Sequence, residues 1–570
     1  MSPFQHLRDS PHKTLPLLAA ATAVALASCT ASPGTAPSSP AASAAPSASA
    51  SPSPTPRTTP SRTNAPPSPE PGSRPLGWGP EQRDQDAATA AVADMTVEEK
   101  AGQVLMPFYP GNQVEAHAAT IQRLHLAGTI IMGDNVPRDP QGRVDTAAMA
   151  AINQRLAQAT AADGDPWPGL IGVDQEGGLV ARLGPPLTEW PAPMSYGAAG
   201  SEALTREAGQ GLAGELASLG FNVDFAPDTD ITMGPQDPTI GARSMSSDPA
   251  VAAVHGAAFS QGMLAAGVLP AVKHFPGHGS VTADSHQSLP VQPAGVEELK
   301  AKDWRPFQTA IEAGMPMVMT GHIAVPALEP GVPASLSART YAALRGLGFK
   351  GVAVTDALNM GAVTKQYPGG AAAVMALAAG ADLLLMPADV AQAHAAIVAA
   401  VKGGTLPAER LDEAARRVAT MMAWQGRRAA AGIPAGAAAP VAARVSAAAV
   451  TVVSGPCTGP LVPGAVRVSG GAPGDKERFE AAAARAGLAL GSGPLVNLIG
   501  YGGRPAGGDI EVALDAPWAL AGSPAPVRLA LYGRSEAAFD ALAAVLAGKA
   551  AAPGNLPAAV GNIPAGAGCP

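Results

Sequence analysis

Short apolar runs alternate with longer, alanine-rich helical stretches from Val104 to Lys402, and no other feature narrows the fold so far. Strands are expected at Val104–Phe108, Gly128–Met132, Gly169–Asp174, Val223–Pro227, Gly267–Lys273, Met317–His322, Gly351–Asp356 and Asp382–Met386. Helices expected between them include Thr146–Ala161, Ala203–Leu219, Ala252–Ala266, Val296–Glu312, Ala371–Ala379 and Val390–Lys402. Thr96-Val97-Glu98-Glu99 has the pattern of a capping box that opens a helix ahead of them. Eight strand–helix units fit a (β/α)8 barrel of the TIM type. A doubly wound open sheet is the runner-up, and the missing nucleotide fingerprint counts against it.

Many of these strands end in polar residues. The third runs into Asp174 and Glu176, the fourth into Asp228, the fifth into Lys273 and His274, the sixth into His322, and the seventh into Thr355 and Asp356. One such end is a capped turn. A succession of them describes the rim at the C-terminal ends of the strands, where barrels carry their sites.

The densest polar stretch is KHFPGHGSVTADSH, residues 273–286. Three readings compete for it. His274, His278, Asp284 and His286 are candidate metal ligands, but no HExxH or paired-cysteine spacing accompanies them, and Pro276 breaks any single helical face. The histidines could instead brace a loop. The third reading is a polyol-binding and proton-transfer loop, in which Asp284 orients the imidazole of His286 two residues away.

Composition bounds the partners. The formal charge is −8, with 47% hydrophobic and 14% charged residues and no basic run, which argues against nucleic acid. Residues 1–29 read as a lipoprotein signal peptide. Arg8, His12 and Lys13 precede the apolar stretch Leu15–Ala27, and Leu26-Ala27-Ser28-Cys29 resembles a lipobox with Cys29 as the lipidated residue. Residues 30–79, mostly Ser, Pro, Ala and Thr, read as an extended tether. The expected location is export, with lipid anchoring to the outer face of a bacterial cell membrane. The catalytic barrel is expected over 80–428 and an Ala/Gly/Pro linker over 429–443. A smaller α/β domain is expected over 444–570, with strands at Val450–Val453, Ala465–Val468, Leu495–Ile499 and Val527–Tyr532. Its helices are expected at Glu480–Ala486 and Glu536–Gly548. Cys457 and Cys569 bracket that domain and suit a disulfide in an exported protein.

A carboxylate nucleophile opposite a proton donor is the arrangement for retaining glycoside hydrolysis. Asp356, closing the run GVAVTD, is the nucleophile candidate, and His286 with Asp284 is the acid/base candidate. Glu176 is the reserve acid/base. Asp174, Arg182, Arg243, Lys273 and His274 can bind sugar hydroxyls.

The segments MTVEEKAGQVLM, GVDQEGGLVARL, NVDFAPDTDI, IGARS, KHFPGHGSVTADSH, PASLS and VTDALNM occur in this order. Through them the chain resembles family 3 glycoside hydrolases of the bacterial β-N-acetylglucosaminidase branch, and KHFPGHG followed by DSH is particular to that branch. The resemblance implies Asp356 as nucleophile and His286 with Asp284 as acid/base. It implies Asp174, Arg182, Arg243, Lys273 and His274 as holders of a terminal N-acetylglucosamine. No metal or organic cofactor is implied. Leu179, Met245 and Ser280 depart from the usual pattern. The expected activity is a retaining, exo-acting β-N-acetylhexosaminidase on cell-wall-derived glycans. The alternatives are a β-N-acetylglucosaminide phosphorylase and a non-catalytic sugar-binding lipoprotein.

Overall fold

The computed structural model describes residues 73–164 and 167–570. Cys29, the signal segment and most of the tether lie outside them. Thr96 caps its helix as the sequence suggested: its Oγ1 accepts from the Glu99 N–H, and the Glu99 carboxylate accepts from the Thr96 N–H at 2.7 Å.

Eight parallel strands form the barrel: β1 Leu105–Met106, β2 Gly128–Ile131, β3 Leu170–Val173, β4 Val223–Asp224, β5 Leu269–Phe275, β6 Met317–Thr320, β7 Val352–Thr355 and β8 Leu384–Leu385. β2 to β7 pair in chain order as one sheet, and β8 pairs with β1. Backbone hydrogen bonds close the ring, from Thr355 N–H to Leu383 O (3.0 Å) and from Ile130 N–H to Pro107 O (3.0 Å). Every residue of these strands is buried, since helices cover the outside and side chains fill the inside. Gly172 reports how full the interior is. A Cβ there would lie 2.7 Å from Met106 Cε and 3.0 Å from the Phe225 ring.

The structure redraws several boundaries. β5 runs on past Lys273 to Phe275, so His274 belongs to the strand rather than to the loop behind it. The helix expected over Val296–Glu312 is two, Val296–Ala301 and Arg305–Glu312, because Pro306 suits the first turn of a new helix and not the middle of a long one. Helices Val114–Leu124 and Ala338–Gly346 have no counterpart among the expected ones. Residues assigned to the linker enter the helix Ala439–Ala449, whose Ala442, Val445 and Ala449 are buried. Ordered packing also starts before Pro80, with Trp78 only 6% exposed.

The C-terminal sheet contains β9 Thr451–Ser454, β10 Ala465–Gly470, β11 Ala489–Ile499, β12 Ile510–Ala513 and β13 Val527–Ala530. Its spatial order is β9-β13-β12-β11-β10, with only β9 antiparallel to its neighbour. β12 has no counterpart among the expected strands because a buried charged residue, Glu511, interrupts its short apolar run. The Cys457–Cys569 disulfide is formed. This layer packs on the barrel beside the site. The Tyr532 carbonyl accepts from the Ala192 N–H at 2.8 Å, and the Pro557 carbonyl accepts from Ser246 Oγ at 2.8 Å.

Candidate active site

The strand-end residues meet at one rim. Lys273 Nζ, at the end of β5, lies 2.9 Å from Asp174 Oδ1 after β3 and 2.6 Å from Glu176 Oε1. Arg243, on a 3-10 turn over Gly241–Arg243, grips Glu176 through two bonds: Nε to Oε2 at 2.9 Å and Nη2 to Oε1 at 2.8 Å. Arg243 also lies 3.2 Å from Asp228 Oδ2. Arg182 reaches Asp174 at 3.4 Å, and its buried Nε has no protein partner among the described residues. Of the five binding residues expected from the sequence, Asp174, Arg182, Arg243 and Lys273 therefore converge, and His274 Nδ1 lies 3.9 Å from the Asp228 carboxyl that Arg243 also meets.

Opposed charges settle the protonation states in this cluster. Burial alone raises the Asp174 carboxyl, but Lys273 and Arg182 beside it outweigh burial and hold it below the usual carboxylate range. Glu176 is likewise held down once Arg243 and Lys273 overcome burial. Burial works against the Lys273 charge, and the adjoining Asp174 and Glu176 keep the ammonium protonated. Burial lowers His274 to about 4, so its ring is neutral, and its Nδ1 donates to Asp230 Oδ2 at 2.7 Å. Asp228 and Asp230 are both raised, by burial first, with Asp228 also repelled by the neighbouring Asp230 charge.

Asp356 follows β7 directly. Its backbone N–H donates to Thr320 O at 2.9 Å, and its Oδ1 accepts from the Ala357 N–H at 2.7 Å. Burial raises this carboxyl, but His322 and His274, whose rings carry charge only in acid, and the Ala357 N–H bond outweigh burial and hold it below the usual carboxylate range. His322 braces the same corner, with Nδ1 2.6 Å from Ser335 Oγ and Nε2 2.9 Å from Ala357 O. His286 Nδ1 lies 2.8 Å from Asp284 Oδ1, and the His286 backbone N–H donates to the same oxygen at 2.9 Å. The His286 side chain is 64% exposed and that of Asp284 32%, so the pair stands at the open edge of the site.

The four ligands of the metal reading do not converge. His274 is bonded to Asp230, His278 to Ser285, and His286 to Asp284. Among the described residues, Asp228, Asp230 and His274 have ligand atoms within 4.8 Å of one another. Arg243 already supplies positive charge there, and the imidazole Nδ1 is spent on Asp230. Glu176 is corrected as reserve acid/base: its carboxylate is fully buried and bound by two cations, so it holds no proton to give. Asp230 escaped the sequence reading although NVDFAPDTDI contains it, because nothing in one sequence tells a structural carboxylate from a loop aspartate. It accepts from His274 Nδ1, the His274 N–H and the His278 N–H. Of the departing residues, Leu179 is exposed, Met245 is buried, and Ser280 Oγ donates to Asp303 Oδ1 at 2.6 Å.

A barrel with a carboxylate at the end of β7 and a cluster of charged side chains on the same rim suits a glycoside hydrolase. Residues 96–421 match the glycosyl hydrolase family 3 N-terminal domain, and the chain is a member of that family. It is 32% identical over 378 residues to β-hexosaminidase A of Pseudoalteromonas piscicida, covering 59% of this chain and 62% of that one. It is 33% identical over 314 residues to the β-hexosaminidase LpqI of Mycobacterium tuberculosis, covering 53% and 77%. A solved family 3 β-N-acetylglucosaminidase from Paenibacillus sp. FPU-7 superimposes with a TM-score of 0.73 at 30% identity. That likeness covers 82% of this chain and 99% of the other, so it takes in both the barrel and the C-terminal layer.

Proposed function

We propose that this glycoside hydrolase is a retaining, exo-acting β-N-acetylhexosaminidase that removes terminal N-acetylglucosamine from cell-wall-derived glycans. The observation that carries this reading is Asp356 at the end of β7 on the rim where Lys273, Asp174 and Glu176 meet, with the bonded Asp284–His286 pair on a loop tied to the segment behind Asp356 by the Gly361 and Ala362 N–H groups. The names of the relatives support the N-acetyl sugar as substrate.

In the first step Asp356 Oδ attacks the anomeric carbon. The C1–O bond breaks, and the departing oxygen takes the Nε2 proton of the His286 imidazolium. The Nδ1–H remains on Asp284, which fixes the tautomer and stabilises the cation. In the second step the neutral Nε2 accepts a proton from water as the water oxygen attacks C1 and the bond to Asp356 breaks. Asp174, Arg182, Arg243, Lys273 and His274 hold the sugar. Asp174 can accept from hydroxyls, while Arg182 and Lys273 donate. Export and anchoring through Cys29 complete the proposal, motivated by the lipobox and the Ser/Pro-rich tether.

Hydrolysis of aryl β-glycosides that differ only at the 2-position tests the substrate class. The N-acetyl substrate should be strongly preferred over the 2-hydroxyl one, and equal rates would sink the N-acetylglucosamine assignment. Repeating the assay with inorganic phosphate decides the acceptor. A product that stays the free sugar identifies hydrolysis, and a sugar 1-phosphate identifies phosphorolysis.

A further inference from the structure

We propose that His278 is a positioning residue for the acid/base dyad, holding through Ser285 the loop segment that carries Asp284 and His286. The inference rests on the dyad assigned above and adds to it a residue that touches neither the sugar nor the reacting atoms.

The dyad needs an anchor because its own side chains face solvent. Ser285, between them, is only 1% exposed. Its Oγ lies 2.8 Å from His278 Nε2, a buried contact. The other ties run to the segment behind Asp356 and reach backbone carbonyls. Ala362 N–H donates to Ser285 O at 3.3 Å, Gly361 N–H to His286 O at 3.3 Å, and Lys365 Nζ to Gln287 O at 2.5 Å. The His278 contact is the one made by a side chain buried in the site itself.

His278 is itself held tightly. Its backbone N–H donates to Asp230 Oδ1 at 2.7 Å, on the carboxylate that also orients His274. The glycines on either side make this approach possible. A Cβ on Gly279 would lie 2.4 Å from Ile231 O, and one on Gly277 would lie 2.6 Å from Asp303 Cβ. One buried carboxylate thus fixes a sugar-binding histidine and the histidine that anchors the dyad. Burial holds the His278 ring neutral, at about 3. Its Nδ1 is buried without a protein partner among the described residues. An orphaned lone pair is tolerated better than an orphaned N–H, so the favoured tautomer carries the proton on Nε2 and donates it to Ser285.

The test compares kcat/KM, which reports the glycosylation step, on N,N′-diacetylchitobiose and on a 2,4-dinitrophenyl β-N-acetylglucosaminide. Only the first has a leaving group that needs a proton. His286→Ala is the reference and should lose far more on chitobiose. His278→Leu should lose ~10–100-fold on chitobiose, a share of the general-acid effect, and under about 3-fold on the dinitrophenyl substrate. Ser285→Ala should match it, and the double variant should be no worse than either single one. His278→Gln, whose amide nitrogen can stand near the Nε2 position, should recover most of the chitobiose rate. Equal losses on both substrates in a folded His278→Leu protein, or no recovery with glutamine, overturn the assignment while leaving the dyad intact. If His286→Ala shows no leaving-group dependence, the dyad reading fails and takes this inference with it.

Discussion

Replacing Glu176 by glutamine separates a charge strut from a proton donor. Glu176 Oε1 takes Lys273 at 2.6 Å and Arg243 Nη2 at 2.8 Å, and Oε2 takes Arg243 Nε at 2.9 Å. Glutamine keeps the shape but sets an NH₂ against one of these donors and leaves two buried cations under-neutralised. Breaking a buried ion pair from one side costs about 3–5 kcal/mol. The low end applies, because Asp174 still faces Lys273 and Asp228 still faces Arg243. The expected cost is therefore about 3 kcal/mol, roughly two decades in an equilibrium constant. It should appear in two places. The urea midpoint should fall, and kcat/KM should drop by a similar factor on chitobiose and on the dinitrophenyl glycoside, because displaced sugar binders harm both alike. The pH dependence has a defined sign. A depressed carboxyl stabilises the fold above its unfolded pKa and loses that contribution as pH falls through the folded value. The stability gap between wild type and variant should be flat from about pH 6 to 8 and close in acid, below about pH 4.3. A loss confined to the poor leaving group would refute the argument and restore Glu176 as an acid.

Three further outcomes are expected. Asp356→Asn should lower turnover by about three or more decades while sugar binding survives, and a slow 2-fluoro glycoside should label Asp356 covalently in the wild type, as read by peptide mass; turnover near wild type would remove Asp356 as nucleophile. Cys457→Ser should cost about 2–4 kcal/mol by chemical denaturation, since the disulfide closes a loop of 112 residues, and an unchanged midpoint would contradict that. Cys29→Ala should move the protein from the membrane fraction to the soluble one, as two acyl chains anchor stably, and retention after a salt wash would discard the lipobox.

The sequence carried the barrel because barrel strands are local signals. An apolar run, a turn and a helical period each lie within a few residues, and eight repeats leave few topologies. The same locality marked Asp174, Lys273, His274 and Asp356, since a polar residue at the end of a buried strand has only the rim to occupy. Asp284 and His286 were legible as a pair because two residues of loop suffice for their 2.8 Å contact. Short β12 and the first turn of the helix at Ala439 are not legible, because the buried Glu511 interrupts the apolar run of one and alanine carries no period in the other.

What only the tertiary structure decided is which charges cancel. Lys273 and Asp174 stand 99 residues apart in sequence, and Arg243 and Glu176 stand 67 apart. Nothing along the chain says that Glu176 would be spent on two cations, that Asp230 would hold two histidines, or that His278 would face Ser285. Protonation and hydrogen-bond partnership depend on burial and on charges within a few ångströms. Those distances exist only once the ring of strands has closed.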